Sequence, residues 1–172
     1  MKIRIIKKEN KRDKQAFTLV EIIVILFIVS VGMIGVLSLV VQNIQSQVIN
    51  KNNIIANQLA QEGVELIRKT RDTNWLNGSS WDQWILAGTY TMDFEDSTPQ
   101  LLLNASQAVL AQDANGFYVH DSGLTSTNFS RQIEISDISA EQKNIKVSVT
   151  WQERNQTYTH TLEAMLYNWF AL

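Results

Sequence analysis

The 172-residue sequence contains no cysteine, a single proline and only two histidines. Without cysteine, the chain can form no disulfide framework, thiol nucleophile or thiolate metal site. His120 and His160 are not at metal-ligand spacing, and neither a nucleotide-binding glycine pattern nor a G-x-S-x-G hydrolase pattern occurs. We therefore expect both histidines at the surface, and a protein that is not an enzyme and holds no metal or cofactor.

Charge is also absent from residues 22–41, a run long enough to cross the hydrocarbon layer of a membrane. Before this run, residues 1–16 hold seven of the 15 Lys and Arg residues and two of the 17 Asp and Glu residues. This distribution predicts that the leader stays in the cytoplasm while the chain beyond the apolar run is exported. Because the exported part is acidic, we do not expect it to bind nucleic acid directly.

One carboxylate, Glu21, lies at the start of the apolar run, where burial in lipid costs a few kcal/mol and calls for a partner or a function. It belongs to the sequence QAFTLVEI at residues 15–22, which joins the basic leader to the apolar segment. This junction resembles the prepilin leader of type IV pilins and type II secretion pseudopilins. The resemblance is close over residues 15–41, and the remaining chain fits by its layout.

In that family a membrane peptidase cuts before the phenylalanine and methylates the new amine. The resemblance therefore implies a processing site between Ala16 and Phe17, with Phe17 as the N-methylated residue, although Ala16 stands where the family usually has glycine. It also implies that Glu21 pairs with the Phe17 amine of an adjacent subunit and sets subunit register. The alternative is that Glu21 lies at the level of the lipid headgroups and needs no partner.

Apolar positions continue at helical spacing beyond the membrane segment, at Ile44, Val48, Ile55, Leu59, Leu66 and Ile67. We predict one helix from about residue 17 to 70 that ends near Asp72 and lays this stripe on a globular domain. Gly63 inside the helix marks close packing or a bend. Gly32 and Gly35 in the apolar run are small enough to let other helices approach, or are simply typical of membrane helices.

Strand patterns dominate the rest of the chain. Residues 145–151 alternate apolar with polar, and residues 157–166 return after a polar turn, which predicts a β-hairpin. Residues 131–135 add a third strand, and shorter strands are expected near 90–94 and 116–119. A long helix followed by an antiparallel sheet predicts an α+β pilin fold. Its parts are a leader that is removed (1–16), a membrane or fibre-core helix (17–41), an amphipathic half of that helix (42–72) and an exported head (73–172).

Three of the five tryptophans, Trp75, Trp81 and Trp84, lie close together after the helix. They are either a candidate surface for ligand binding or a loop pinned to the sheet by buried rings. Nearby, Asp93, Glu95 and Asp96 offer oxygen ligands for calcium, but the spacing of a calcium loop is missing, and we expect a solvated acidic turn.

These patterns favour a structural minor pilin or pseudopilin in the bacterial inner membrane, with a single span and its N-terminus in the cytoplasm. It would assemble into a type IV pilus-like or type II secretion fibre. The expected partners are prepilin peptidase, other pilin subunits through the N-terminal helix, the inner-membrane assembly platform and membrane lipid. The alternative is a membrane-anchored extracytoplasmic sensor or ligand-binding module that uses the tryptophan region.

Overall fold

The structure is a computed structural model that describes residues 18–121 and 123–169. A long helix is followed by a seven-stranded antiparallel sheet, which is the predicted α+β pilin fold. The chain divides into a first unit that ends at Ser46 and a second unit from Gln47 onward. The elements are α1 (Leu19–Leu76), β1 (Gly88–Thr91), β2 (Gln100–Leu101), a 3-10 helix (Ala105–Ala108), β3 (Val109–Gln112), β4 (Tyr118–Val119), β5 (Ser126–Ser139), β6 (Gln142–Glu153) and β7 (Gln156–Tyr167).

The first unit holds the apolar start of α1, whose side chains are exposed throughout residues 18–44. Phe27 and Ile34, for example, are each 68% exposed. Among the described residues, α1 is the one helix long and apolar enough to cross a membrane. Because soluble monomers rarely leave so large an apolar surface in water, this segment needs lipid or other helices around it.

In the second unit, α1 buries one side against the sheet. The predicted stripe is confirmed at Leu59 and Ile67, which belong to the hydrophobic core, but it is wrong at Ile44 and Val48, which are 56% and 40% exposed. Helical periodicity in a sequence identifies the apolar face of a helix, but it does not identify what covers that face. The buried positions of α1 are Asn52, Ala56, Leu59, Ala60, Gly63, Val64, Leu66, Ile67, Thr70 and Asn74.

The C-terminal end of α1 lies at Leu76, one turn beyond the predicted end near Asp72. The amide of Asn74 donates to the carbonyls of Trp81 (3.2 Å) and Gln83 (2.6 Å), so contacts with the following loop stabilise the extra turn. Gly78 then adopts a φ of 67°, and the amides of Gly78 and Ser79 bond back to the carbonyls of Trp75 and Asn74. This is the Schellman arrangement that favours glycine.

The sheet is built around β5, which pairs with β6 on one side and with β1 and β3 in succession on the other. The two-residue strands β2 and β4 lie outside β1 and β3. The predicted hairpin is confirmed as β6 and β7, which pair without a register shift. Its turn residues Arg154 and Asn155 have φ of 51° and 63°, as in the type I′ turn that matches strand twist. The predicted strand at 131–135 lies inside β5, and those near 90–94 and 116–119 overlap β1 and β4.

Gly63 marks close packing between α1 and the sheet. A Cβ built on Gly63 would lie 2.9 Å from Cγ1 and 3.2 Å from Cγ2 of Val147 on β6, and 3.5 Å from Cδ of Arg131 on β5. Side chains do not tolerate a contact of 2.9 Å without a shift in the packing. Glycine at this position therefore lets Val147 on the inward face of β6 pack close to the helix backbone.

Candidate functional site

The predicted processing residues Ala16 and Phe17 lie outside the described residues, which begin at Thr18. The Thr18 hydroxyl accepts a hydrogen bond from the backbone N–H of Glu21 at 3.2 Å, so Thr18 is the N-cap of α1. Glu21 lies in the first turn, where its negative charge complements the positive end of the helix dipole. The T-x-x-E spacing of a capping box signals this arrangement in the sequence. Glu21 thus has a local structural role besides the pairing that the resemblance implies.

The surface of the apolar segment is open at both of its glycines. A Cβ added at Gly32 or Gly35 would have no atom of residues 18–121 or 123–169 within 4 Å, apart from the helix backbone around it. The nearby Ser30 hydroxyl donates to the Leu26 carbonyl at 2.6 Å, so its polar group is satisfied within the helix. This helix face is accessible to lipid or to a neighbouring helix, and no contact among the described residues requires glycine there.

The three clustered tryptophans occupy different environments. Trp81 is only 7% exposed and belongs to the core, whereas Trp84 is 56% exposed. Trp75 is half-buried, donates to Asn168 at 3.3 Å, and has the Arg71 guanidinium 4.7 Å from its ring centre. The three rings therefore do not share one exposed face. Ligand binding by this region stays a prediction that rests on Trp84 and on the exposed part of Trp75.

A buried arginine that the sequence analysis did not single out lies between helix and sheet. Arg131 on β5 is completely buried, and its guanidinium donates to the carbonyls of Met92 (2.6 Å) and Leu59 (3.2 Å). It also forms an ion pair with Glu62 of α1 at 3.2 Å. Burial lowers the pKa of Arg131, and the charge of Glu62 is the strongest opposing influence. Arg131 thus ties α1, β5 and the segment after β1 together.

The segment after β1 carries the acidic cluster of the sequence. Asp93 is buried rather than solvated. Its carboxylate accepts hydrogen bonds from the backbone N–H groups of His120 (2.8 Å) and Glu95 (3.0 Å). The Asp96 carboxylate accepts from the N–H of Asp93 at 3.0 Å. These carboxylate oxygens therefore stabilise the backbone of the loop after β1 by accepting its N–H groups. Among the described residues, no group of three or more His, Asp or Glu side chains is placed to hold a metal ion.

The surface prediction is wrong for His120, whose side chain is 9% exposed with Nδ1 3.7 Å from an Asp93 carboxylate oxygen. Burial lowers the pKa of His120 to about 4; the charge of Arg131 acts in the same direction, and Asp93 opposes the shift. Neither ring nitrogen makes a hydrogen bond within the described parts of the chain. His120 is consequently neutral in the folded protein at pH 7.

This burial predicts a pH-dependent stability. Unfolded His120 takes up a proton near pH 6.5, whereas the folded protein resists protonation until about pH 4. The free energy of unfolding should therefore fall as the pH drops through this window, by about 2 kcal/mol after allowance for solvent screening. Urea unfolding of the full chain in detergent at pH 7.5 and pH 4.5 measures the difference. His120→Gln should flatten this dependence, and an unchanged dependence in that variant would contradict the assignment to His120.

Comparison with known proteins adds a finding at the N-terminus. The family model described as the prokaryotic N-terminal methylation motif matches residues 11–37, which include the basic end of the predicted leader, the predicted processing residues and the first turns of α1. No curated protein and no solved structure matches the chain. The chain thus joins a prepilin-type methylation motif to a pilin fold, and together these findings support a pilin or pseudopilin of the type IV pilin family, processed by prepilin peptidase.

Proposed function

We propose that this protein is a structural minor pilin or pseudopilin subunit of a type IV pilus-like or type II secretion fibre. The observation that carries the proposal is the methylation motif at residues 11–37 joined to a helix whose apolar surface is exposed at every described residue from 18 to 44. Lipid can cover that surface before assembly, and the helices of other subunits can cover it afterwards. The head would then be displayed on the outside of the fibre.

The basic leader sets the proposed topology. Its excess of Lys and Arg holds residues 1–16 in the cytoplasm, and the chain spans the bacterial inner membrane once. Prepilin peptidase cuts between Ala16 and Phe17 and methylates the new amine. The assembly platform then extracts the subunit from the membrane into the fibre.

Glu21 directs assembly in this proposal. Cleavage places a positive amine on Phe17, four residues from a carboxylate in the same apolar segment. Pairing the amine of one subunit with Glu21 of the next lowers the cost of burying both charges and sets the axial register of the helices. No binding of nucleic acid is part of this role, since the processed chain is acidic.

Processing provides the direct test. Mass spectrometry of the membrane-extracted chain, produced together with a prepilin peptidase, should find methylated Phe17 as the N-terminus. Ala16→Gly should be cut at least as fast as the wild type, whereas the bulky Ala16→Leu should accumulate with its leader attached. An intact Met1 beside a peptidase that cuts a known prepilin in the same cells would contradict the proposal and favour a membrane-anchored sensor.

A further inference from the structure

Two exposed phenylalanines contact each other where the turn between β3 and β4 meets the loop after β1. Phe94 is 41% exposed and Phe117 is 57% exposed. Their ring centres lie 5.3 Å apart, and the ring planes are tilted by 54°. Because phenylalanine rings are mostly buried in folded proteins, two adjoining exposed rings mark a candidate interaction surface.

Carboxylate side chains stabilise the backbone that carries both rings. The Asp113 carboxylate accepts a hydrogen bond from the N–H of Phe117 at 2.7 Å. In the loop after β1, the Asp93 carboxylate accepts from the N–H of Glu95, the residue that follows Phe94. Since these bonds fix the loop backbone before any ligand arrives, binding requires little additional ordering of the chain.

The two rings line a cleft beside α1 that has a volume of about 460 Å³. The other lining residues are Glu62 on α1, Tyr118 on β4 and Gly116 in the turn before it. This volume lies within the range of small-molecule sites in proteins. Three of the five lining residues are therefore aromatic and one is acidic, and none is basic.

Negative charge is in excess around the cleft. Glu62 pairs with Arg131 through Oε2 at 3.2 Å, and its Oε1 accepts no hydrogen bond from residues 18–121 or 123–169. Arg131 also faces the charges of Asp93 and Asp96, so three carboxylates share one guanidinium. His120 adds no positive charge, because it is neutral at pH 7. The uncompensated negative charge favours a cationic ligand.

We propose that this aromatic cleft binds a trimethylammonium group of the choline type. The faces of aromatic rings attract such a cation through their quadrupoles, and the free carboxylate oxygen of Glu62 supplies a counter-charge. This binding is a further activity of the head, beyond the role of the chain as a fibre subunit.

The hydrogen-bonding groups of the cleft favour this cation over a lysine or arginine side chain. A lysine ammonium carries three N–H donors and a guanidinium five, and a donor buried without an acceptor is costly. The Phe117 carbonyl already accepts from the N–H of Asp113 at 3.0 Å, and the Gly116 carbonyl accepts from the Gln112 side chain at 3.0 Å. A trimethylammonium group has no N–H donor and needs only the aromatic faces and the carboxylate.

A neutral analogue of choline tests the role of the charge. Saturation-transfer NMR on the full chain in dodecyl maltoside should give choline a dissociation constant about tenfold lower than that of its tert-butyl analogue, in which carbon replaces the charged nitrogen. Ethanolamine should bind more weakly than choline, because its N–H donors lack acceptors in the cleft. Phosphocholine separates two sources of the group. If it binds as tightly as choline, the source is a phosphocholine headgroup or polymer, and if it binds more weakly, the source is a small soluble compound.

Substitutions of exposed rings test the site without changing the core. Phe117→Leu keeps an apolar side chain but removes the ring face, so it should weaken choline binding about fivefold and leave binding of the neutral analogue unchanged. Phe117→Trp should retain or strengthen choline binding, since tryptophan is the best ring for a cation. Trp84→Leu is the matched control, because Trp84 is similarly exposed at 56% but does not line the cleft. It should bind choline like the wild type.

Three results would each overturn the proposal: no binding of choline, equal binding of choline and its neutral analogue, or equal losses from Phe117→Leu and Trp84→Leu. The measurement requires neither cleavage at Ala16 nor assembly into a fibre, so failure of the proposed function leaves this test intact.

Discussion

Glu21→Val protein should reach the membrane at the wild-type level and should be missing from the fibre. Insertion should be intact or improved, because an apolar side chain replaces a carboxylate in the apolar segment. Assembly should fail, because the Phe17 amine of the neighbouring subunit would be buried without a counter-charge. Breaking a buried pair in this way costs on the order of 3 kcal/mol. That penalty is enough to exclude one subunit from a structure held by many weak helix contacts.

The local role of Glu21 in the first turn of α1 makes control variants necessary. Glu21→Gln keeps the side-chain length and a hydrogen-bonding oxygen but removes the charge, so it should fail like Glu21→Val. Thr18→Ala removes the hydroxyl that accepts from the Glu21 N–H, at a cost of about 1 kcal/mol of helix stability, but leaves the carboxylate in place. It should still assemble. Tagged variants are measured in sheared fibres against their membrane level. Equal incorporation of Glu21→Val would place Glu21 at the headgroups without a pairing role.

Arg131→Ala should lower the free energy of unfolding of the head by about 3 to 5 kcal/mol. The substitution leaves the Met92 carbonyl without its 2.6 Å donor and removes the cation that faces Glu62, Asp93 and Asp96. Urea unfolding of the full chain in detergent, followed by the fluorescence of the buried Trp81 and Trp151, measures the loss.

Two control variants separate charge from volume. Arg131→Met keeps much of the buried side-chain volume, so the destabilisation should persist if the guanidinium contacts cause it. This variant should also lose less stability on acidification, because the charge that helps to hold the His120 pKa low is gone. Lys146→Ala breaks an exposed pair with Glu134 on the neighbouring strand and should cost less than about 1 kcal/mol. A loss from Arg131→Ala as small as that from Lys146→Ala would contradict a structural role for the buried arginine.

The architecture was largely predictable because its signals are local. The uncharged run at 22–41, the alternation from Ile145 to Trp151 and the polar turn after Glu153 each specify an element without reference to distant residues. The predicted end of α1 came too early because the last turn depends on Asn74. The Asn74 side chain donates to the carbonyls of Trp81 and Gln83 in the following loop, and helical periodicity does not indicate these contacts. The Asn77-Gly78 pair is the signal that could have corrected it.

The buried polar cluster was not predicted, because burial of His120 depends on strands brought together from distant parts of the chain. Arg131 did carry a signal, since it occupies an inward position of β5 in series with Phe129, Ile133 and Ile135. A charged residue at such a position requires partners, but the sequence does not identify Glu62 and the Met92 carbonyl as those partners. The Thr18 cap, in contrast, could be read directly from the T-x-x-E spacing.

The close approach of β6 to α1 links two positions that are far apart in sequence. Since any Cβ at position 63 meets both methyl groups of Val147, the two residues should vary as a pair among relatives of this chain. Alanine at 63 should be accompanied by a smaller residue at 147, and valine at 147 should occur with glycine at 63. A collection of related sequences would then carry a covariation between these positions, and that coupling would locate the contact between helix and sheet without any structure.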